Sequence, residues 1–188
     1  SKVKYLTRKM KKKQLTWIPV YLHNRKKANG VPVTGYVNAK NIALTAVNIN
    51  NISSNPTVRT AISYGYKYLG TRFILGGNSI TGGIDCATFT KQIYEAAGKG
   101  MPYPHTDYLQ GVSRQVSYRD LKPGDLVFYL KYDTSGPIDH VGVYIGNNLM
   151  INASGHYGSN YPEGGITIKR IVYGNRRPVL YKRLYGID

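Results

Sequence analysis

Residues 139–153 read DHVGVYIGNNLMINA, and the fold of the chain turns on how this stretch is paired. His140, Gly142 and Tyr144 alternate with Val141, Val143 and Ile145, the period of two that marks a strand with one face in a core. The apolar set must be buried, which puts His140 on the other face beside a glycine, with room for a partner. Gly146-Asn147-Asn148 supplies residues that tolerate positive φ, and a second strand follows from Leu149. A three-residue loop would pair Ile145 with Leu149 and Gly142 with Asn152, leaving Asn152 diagonal to His140 on one face. A two-residue Asn147-Asn148 loop would pair Gly146 with Leu149 and turn Asn152 away, passing any orienting role to His156 or Asp139. The three-residue register is the favoured expectation.

Outward from this hairpin, further strands are expected at 125–130, 166–171 and 179–184, giving five in succession with those at 139–145 and 149–153. Helices come first. Ser54-Asn55-Pro56 offers an N-cap with Pro at the start, and Val58, Ala61, Ile62, Gly65 and Leu69 recur at helical spacing. A second helix is expected from Cys86 to Ala97, with Phe89 and Ile93 on its buried stripe. Helices followed by consecutive strands indicate an α+β fold with helices packed on a five-stranded antiparallel sheet.

Cys86 stands in the first turn of that second helix, where unpaired N–H groups and the helix dipole favour a thiolate and can hold an oxyanion. Seven residues separate it from Ile93, so both lie on one helix face, towards the sheet. A base carried on a strand is then within reach, and histidine is the side chain best suited to take a thiol proton near neutral pH. Cys86 as nucleophile, His140 as base and Asn152 as orienting amide form the expected catalytic set. An isolated cysteine is more often a small buried hydrophobe, and it is the helix start after a glycine-rich loop that favours chemistry here.

Charge divides the chain. Lys and Arg number 26 against 9 acidic residues, a net +17, and no acid precedes Asp85. Residues 1–84 carry 14 positive charges, and residues 1–46 carry eleven of these. Such a field implies an anionic polymer as partner: nucleic acid, lipid headgroups or a phosphate-bearing wall polymer. No nucleic-acid recognition motif accompanies it. No apolar run approaches the ~20 residues of a transmembrane helix. One cysteine excludes an intramolecular disulfide. The four histidines, His23, His105, His140 and His156, are scattered without ligand spacing, so neither a metal nor another cofactor is expected. The Asn/Ser-rich stretch 47–57 reads as a linker between a basic β-rich segment, 1–46, and a domain over 58–188.

Gly70-Thr71-Arg72-Phe73-Ile74-Leu75-Gly76-Gly77, Asp85-Cys86, Leu121-Lys122-Pro123-Gly124-Asp125-Leu126-Val127-Phe128, His140 to Gly146, and Met150-Ile151-Asn152-Ala153 together resemble the NlpC-type cell-wall cysteine peptidases. The resemblance spans residues 58–188 and implies a papain-like fold and a thiol protease that hydrolyses peptidoglycan stem peptides, often at a γ-D-glutamyl bond. It implies a substrate pocket around Asp85, Phe73, Ala87 and His105, and a secreted, wall-associated protein. The family usually has Tyr at Phe73, Trp at Leu75 and Ser-Gly at Ala87-Thr88, departures that bear on substrate recognition while the thiol and imidazole remain. Residues 1–46 resemble the end of a bacterial SH3-like or S-layer-type wall-binding module, on Trp17, Tyr21, Tyr36-Val37 and residues 38–42. The competing readings are a non-catalytic wall-binding protein with a degenerate peptidase domain, and a thiol amidase or acyltransferase on the same scaffold.

Overall fold

The computed structural model describes residues 17–26, 32–38, 52–131, 135–155, 164–173 and 176–187. The chain divides into two compact units, Ser1–Val47 and Asn48–Asp188. In the first, β1 (Trp17–Lys26) and β2 (Pro32–Asn38) form an antiparallel hairpin, with Trp17 opposite Asn38 and Leu22 opposite Val33. The expected turn at 28–30 and the expected strand at 42–44 lie outside the described residues. Trp17, Tyr21, Tyr36, Val37 and Asn38 of the wall-module resemblance fall in this hairpin, and its residues 39–42 lie outside the described residues.

The second unit begins with α1 (Pro56–Lys67). Asn55 caps it, its side chain accepting from the Val58 N–H at 3.2 Å, and Pro56 occupies the first turn, where no N–H is needed. Arg59 reaches back to the Ser53 carbonyl at 2.8 Å, and Ile52 packs on the core, so residues 52–55 dress the start of this unit. Val58, Ala61, Ile62 and Gly65 are buried as the periodicity predicts. Leu69 is not: the helix ends at Lys67, and Leu69 is 41% exposed. Two short strands, β3 (Asn78–Ser79) and β4 (Gly83–Ile84), precede α2 (Cys86–Glu95). Phe89 and Ile93 of α2 are fully buried. Next come α3 (Thr106–Gly111), β5 (Ser113–Gln115) and a single 3-10 turn at Tyr118–Asp120.

The strands that follow are β6 (Leu126–Leu130), β7 (Ile138–Gly146), β8 (Leu149–Ser154), β9 (Gly165–Arg170) and β10 (Leu180–Leu184). They pair antiparallel in the order β5-β10-β6-β7-β8-β9. The sheet therefore has six strands, not five. The extra one, Ser113-Arg114-Gln115, is three residues long and polar, too short for alternation to reveal. Helices α1 and α2 cover one face, where Phe89, Ile93, Leu126, Phe128, Val141, Val143, Ile151 and Ala153 form the main core. A smaller cluster of Val127, Tyr129, Met150 and Ile171 closes the other face, so β7 is buried on both sides.

Charge also enters the core. Arg183 grips Asp125 through Nε and Nη2, both at 2.7 Å, while Asp125 accepts the Lys122 N–H at 2.7 Å. This buried fork ties the Lys122-Pro123-Gly124-Asp125 turn to β10. Among the described residues no helix is long and apolar enough to cross a membrane.

Candidate active site

Asp85 is the N-cap of α2 and sets where Cys86 stands. One carboxylate oxygen accepts the Thr88 N–H at 2.7 Å, and the other accepts the Gly76 N–H at 3.1 Å. The carboxylate thus fastens the glycine loop to the helix start. Ala87 is buried in the main core, and Phe73 bridges to Ile84 and packs partly buried against that core. Leu75, at the position where the family has Trp, is 74% exposed.

The Cys86 Sγ lies 3.8 Å from the Asp139 carbonyl oxygen, and the backbone N–H groups of Val141 and Ala87 favour its charged form. The sulfur is therefore seated against β7 on both sides of His140. Burial outweighs those N–H groups, aided by the Asp85 and Asp139 carboxylates, and pushes the thiol up to about 12. This reverses the depressed thiol pKa expected from the helix start. The dipole and N–H groups are present, but with Cys86 only 7% exposed, desolvation of the anion is the larger effect.

His140 is 5% exposed, and its Nε2 lies 3.1 Å from Asn152 Oδ1. The Asn152 amide donates in turn to the Thr167 carbonyl at 3.2 Å. With the amide nitrogen committed to Thr167, the oxygen faces the ring, so Nε2 carries the hydrogen and Nδ1 is left as the basic nitrogen. Burial drives the imidazole pKa down to about 3; the Arg176 and Lys169 cations push the same way, and the Asn152 hydrogen bond opposes them. Tyr129 stands with its ring 5.6 Å from His140, and Arg176 lies 5.7 Å over Tyr129 while reaching Asp139 at 3.3 Å. Thiol and imidazole are both held neutral.

The hairpin reaches this placement by a route the sequence did not suggest. Asn147 and Asn148 form a two-residue turn, both at positive φ (52° and 58°), and Gly146 pairs with Leu149. That pairing alone would turn Asn152 away. A bulge between Tyr144 and Gly146 inserts one residue, so that Tyr144 pairs with Met150 and Val143 with Ile151. Asn152 returns to the His140 side. Gly142 completes the fit, because a Cβ there would stand 2.6 Å from Met150 Sδ and 3.3 Å from Asn152 Cβ. A side chain at 142 would push the Met150 thioether aside and press on Asn152 beside His140.

His105, expected in the substrate pocket, is exposed at the N-cap of α3, where its Nδ1 accepts from the Asp107 N–H at 3.3 Å. Its neighbour Thr106 donates to the Ile138 carbonyl at 3.0 Å, which anchors α3 beside the start of β7. The Asp139 side chain pairs with Arg176. His156 lies outside the described residues. Sequence reasoning missed Tyr129, Thr167 and Arg176. The register that places Tyr129 opposite His140 follows once the Leu126 and Val143 pairing is known. Nothing local marks Thr167 or Arg176.

A thiol at a helix start, set against a histidine-bearing strand of an antiparallel sheet, defines a papain-like α+β protein. The NlpC/P60 family model matches residues 70–174, more than half of the sequence, and the chain belongs to that family. It is 42% identical over 93 residues to the probable endopeptidase p60 of Listeria innocua, covering 49% of this chain and 19% of that protein. It is 34% identical over 98 residues to the gamma-D-glutamyl-L-lysine dipeptidyl-peptidase of Bacillus subtilis, covering 52% of this chain and 32% of that protein. The chain thus matches about a fifth to a third of the length of these relatives. An NlpC/P60 family protein from Bacillus cereus shares the fold, with a TM-score of 0.59 at 22% identity over 92% of this chain and 52% of that one.

Proposed function

We propose that the chain is a peptidoglycan hydrolase, a cysteine endopeptidase that cuts stem peptides at a γ-D-glutamyl bond. The observation that carries this reading is the seating of the Cys86 thiol against the backbone around His140, with His140 held by Asn152. The bond assignment follows the name of the Bacillus subtilis relative.

In this reading His140 takes the Cys86 proton at Nδ1 as the sulfur attacks the substrate carbonyl. The thiolate and imidazolium exist only along the reaction path, since burial holds both groups neutral at rest. First-turn N–H groups of α2 receive the charge on the carbonyl oxygen. His140 returns the proton to the leaving amine, an acyl-enzyme forms on Cys86, and water drawn in by the neutral imidazole releases it. Asn152 keeps the ring oriented and performs no bond-making. Asp85, Phe73, Ala87 and His105 border the substrate. The protein acts as a secreted, wall-associated enzyme. Residues 1–46, with eleven Lys or Arg and no acid, serve as an SH3-like module that holds an anionic wall polymer.

Mass spectrometry of fragments released from purified peptidoglycan tests the function. The wild-type chain should release muropeptides cut at one peptide bond within the stem, and Cys86→Ala should release none. Equal release by the two proteins would overturn the proposal.

A further inference from the structure

A cavity of about 430 Å³ opens in the second unit, lined by Tyr118, Asn148, Arg170, Ile171, Val172, Arg177, Pro178 and Tyr181. It sits at the β7–β8 turn, the far end of β7 from His140. The six strand steps from His140 to Gly146, at about 3.3 Å each, put roughly 20 Å between the imidazole and that turn. The cavity is no part of the thiol site. Its size falls within the range of small-ligand sites, roughly 300–1,000 Å³.

The lining has a distinct chemistry. Two arginines line it and no acidic residue does. The Arg170 and Arg177 side chains are exposed and have no hydrogen-bond or ion-pair partner among the described residues. The other arginines here are committed: Arg176 to the Leu130 carbonyl and Asp139, Arg183 to Asp125 and the Asp120 carbonyl. Two tyrosines share the lining, Tyr118 and Tyr181, with ring centroids 5.9 Å apart and planes 49° apart. Tyr118 Oη donates to Asn148 Oδ1 at 2.8 Å, which ties two lining residues together, and Pro178 and Val172 add apolar surface.

Paired guanidinium groups suit a phosphate, which takes two parallel N–H bonds. Tilted tyrosines with free edges offer an apolar body and a polar tip, a match for the C–H and hydroxyl surface of a polyol or sugar. A nucleic-acid strand would call for stacking platforms in series along a groove, and one pair of mutually tilted rings is not that. We infer that this cavity binds one phosphodiester-linked polyol or sugar unit of an anionic glycopolymer. The source named here rests on the reading of the chain as a wall enzyme; the phosphate chemistry does not. Such a contact would fasten the catalytic unit to the polymer while Cys86 works on a peptide.

The test uses the full chain carrying Cys86→Ala, so that binding is read without turnover and stands apart from whether the chain hydrolyses peptidoglycan. Short poly(glycerol phosphate) chains serve as probe, followed through the backbone amide signals of Asn148, Ile171 and Val172, which separates this site from polymer held by residues 1–46. Those signals should shift and saturate. Adding Arg170→Gln with Arg177→Gln should weaken the local affinity at least tenfold, and Tyr118→Leu should weaken it less. All three positions are solvent-exposed, and thermal unfolding will check that each variant is folded. Local affinity within twofold of the parent in the double arginine variant overturns the site. So does an absence of shifts at these three residues, or tighter saturation by oligothymidylate of equal charge.

Discussion

Two polar constellations are buried in the same sheet and are treated in opposite ways. At Asp125 and Arg183 the charges are kept: the carboxylate accepts two guanidinium bonds and a backbone N–H, so both ions are satisfied where they stand. At Cys86, His140 and Asn152 the titratable groups are comparably buried but given no countercharge, and the pKa of each moves towards its neutral form. The first arrangement joins a turn to a strand. The second stores reactivity, because a proton handed from sulfur to imidazole creates charges the resting site does not stabilise and a substrate carbonyl can relieve.

The largest expected effect separates them by activity. Cys86→Ala should lower stem-peptide hydrolysis by on the order of 10⁴-fold or more. Its stability should change by only about 1 kcal/mol, since the truncation removes a single neutral sulfur atom that takes part in no ion pair. Asp125→Ala should do the reverse. It leaves the buried Arg183 without its carboxylate, and denaturant unfolding should show a loss of about 3–5 kcal/mol. Asn152→Ala comes next, with turnover down about 10²-fold because the imidazole loses its orientation but not its chemistry. Asn152→His should retain part of the activity.

The most gradual effect is in the pH dependence of stability. His140 has its pKa lowered from 6.5 to about 3 in the folded chain, so between those values the unfolded chain binds the extra proton. Its contribution is fully present above pH 6.5 and is lost as pH falls towards 3, by up to about 1.4 kcal/mol per pH unit. Cys86 acts at the other end: its pKa is raised from 9 to about 12, so stability declines as pH rises above 9 and the unfolded thiol ionises. His140→Gln should flatten the acid limb and Cys86→Ala the alkaline one. Unfolding midpoints across pH 4–11 will show whether each limb follows its residue.

The contrast also explains how far the sequence could be read. The Asp85-Cys86 helix start and the alternation along residues 139–145 are local patterns, and the helix and strand stand where those patterns put them. Features that depend on chain segments meeting were not legible. The bulge at Ile145 is fixed by a two-residue turn and a Gly146 φ of 94°, and it overrides the loop-length rule that would have sent Asn152 to the other face. A helix start announces N–H groups and a dipole, but not that β7 and the core will exclude water from the sulfur. Ser113–Gln115 joins the sheet only because Lys182 to Leu184 present an open edge. The SH3-like reading of residues 1–46 rests on Trp17, Tyr21, Tyr36-Val37 and residues 38–42, of which 39–42 lie outside the described residues, and a single β1–β2 hairpin does not define such a module.

One measurement reaches the central claim most directly, that Cys86 rests as a buried neutral thiol and is ionised only through His140 during reaction. The chain has a single cysteine, so alkylation by iodoacetamide reports on it alone. The rate should climb steadily with pH and show no plateau below about pH 9, as expected for a thiol titrating well above the usual ~8.5. A rate that levels off by pH 6–7 would reveal a thiolate standing at rest and would contradict this account of the site.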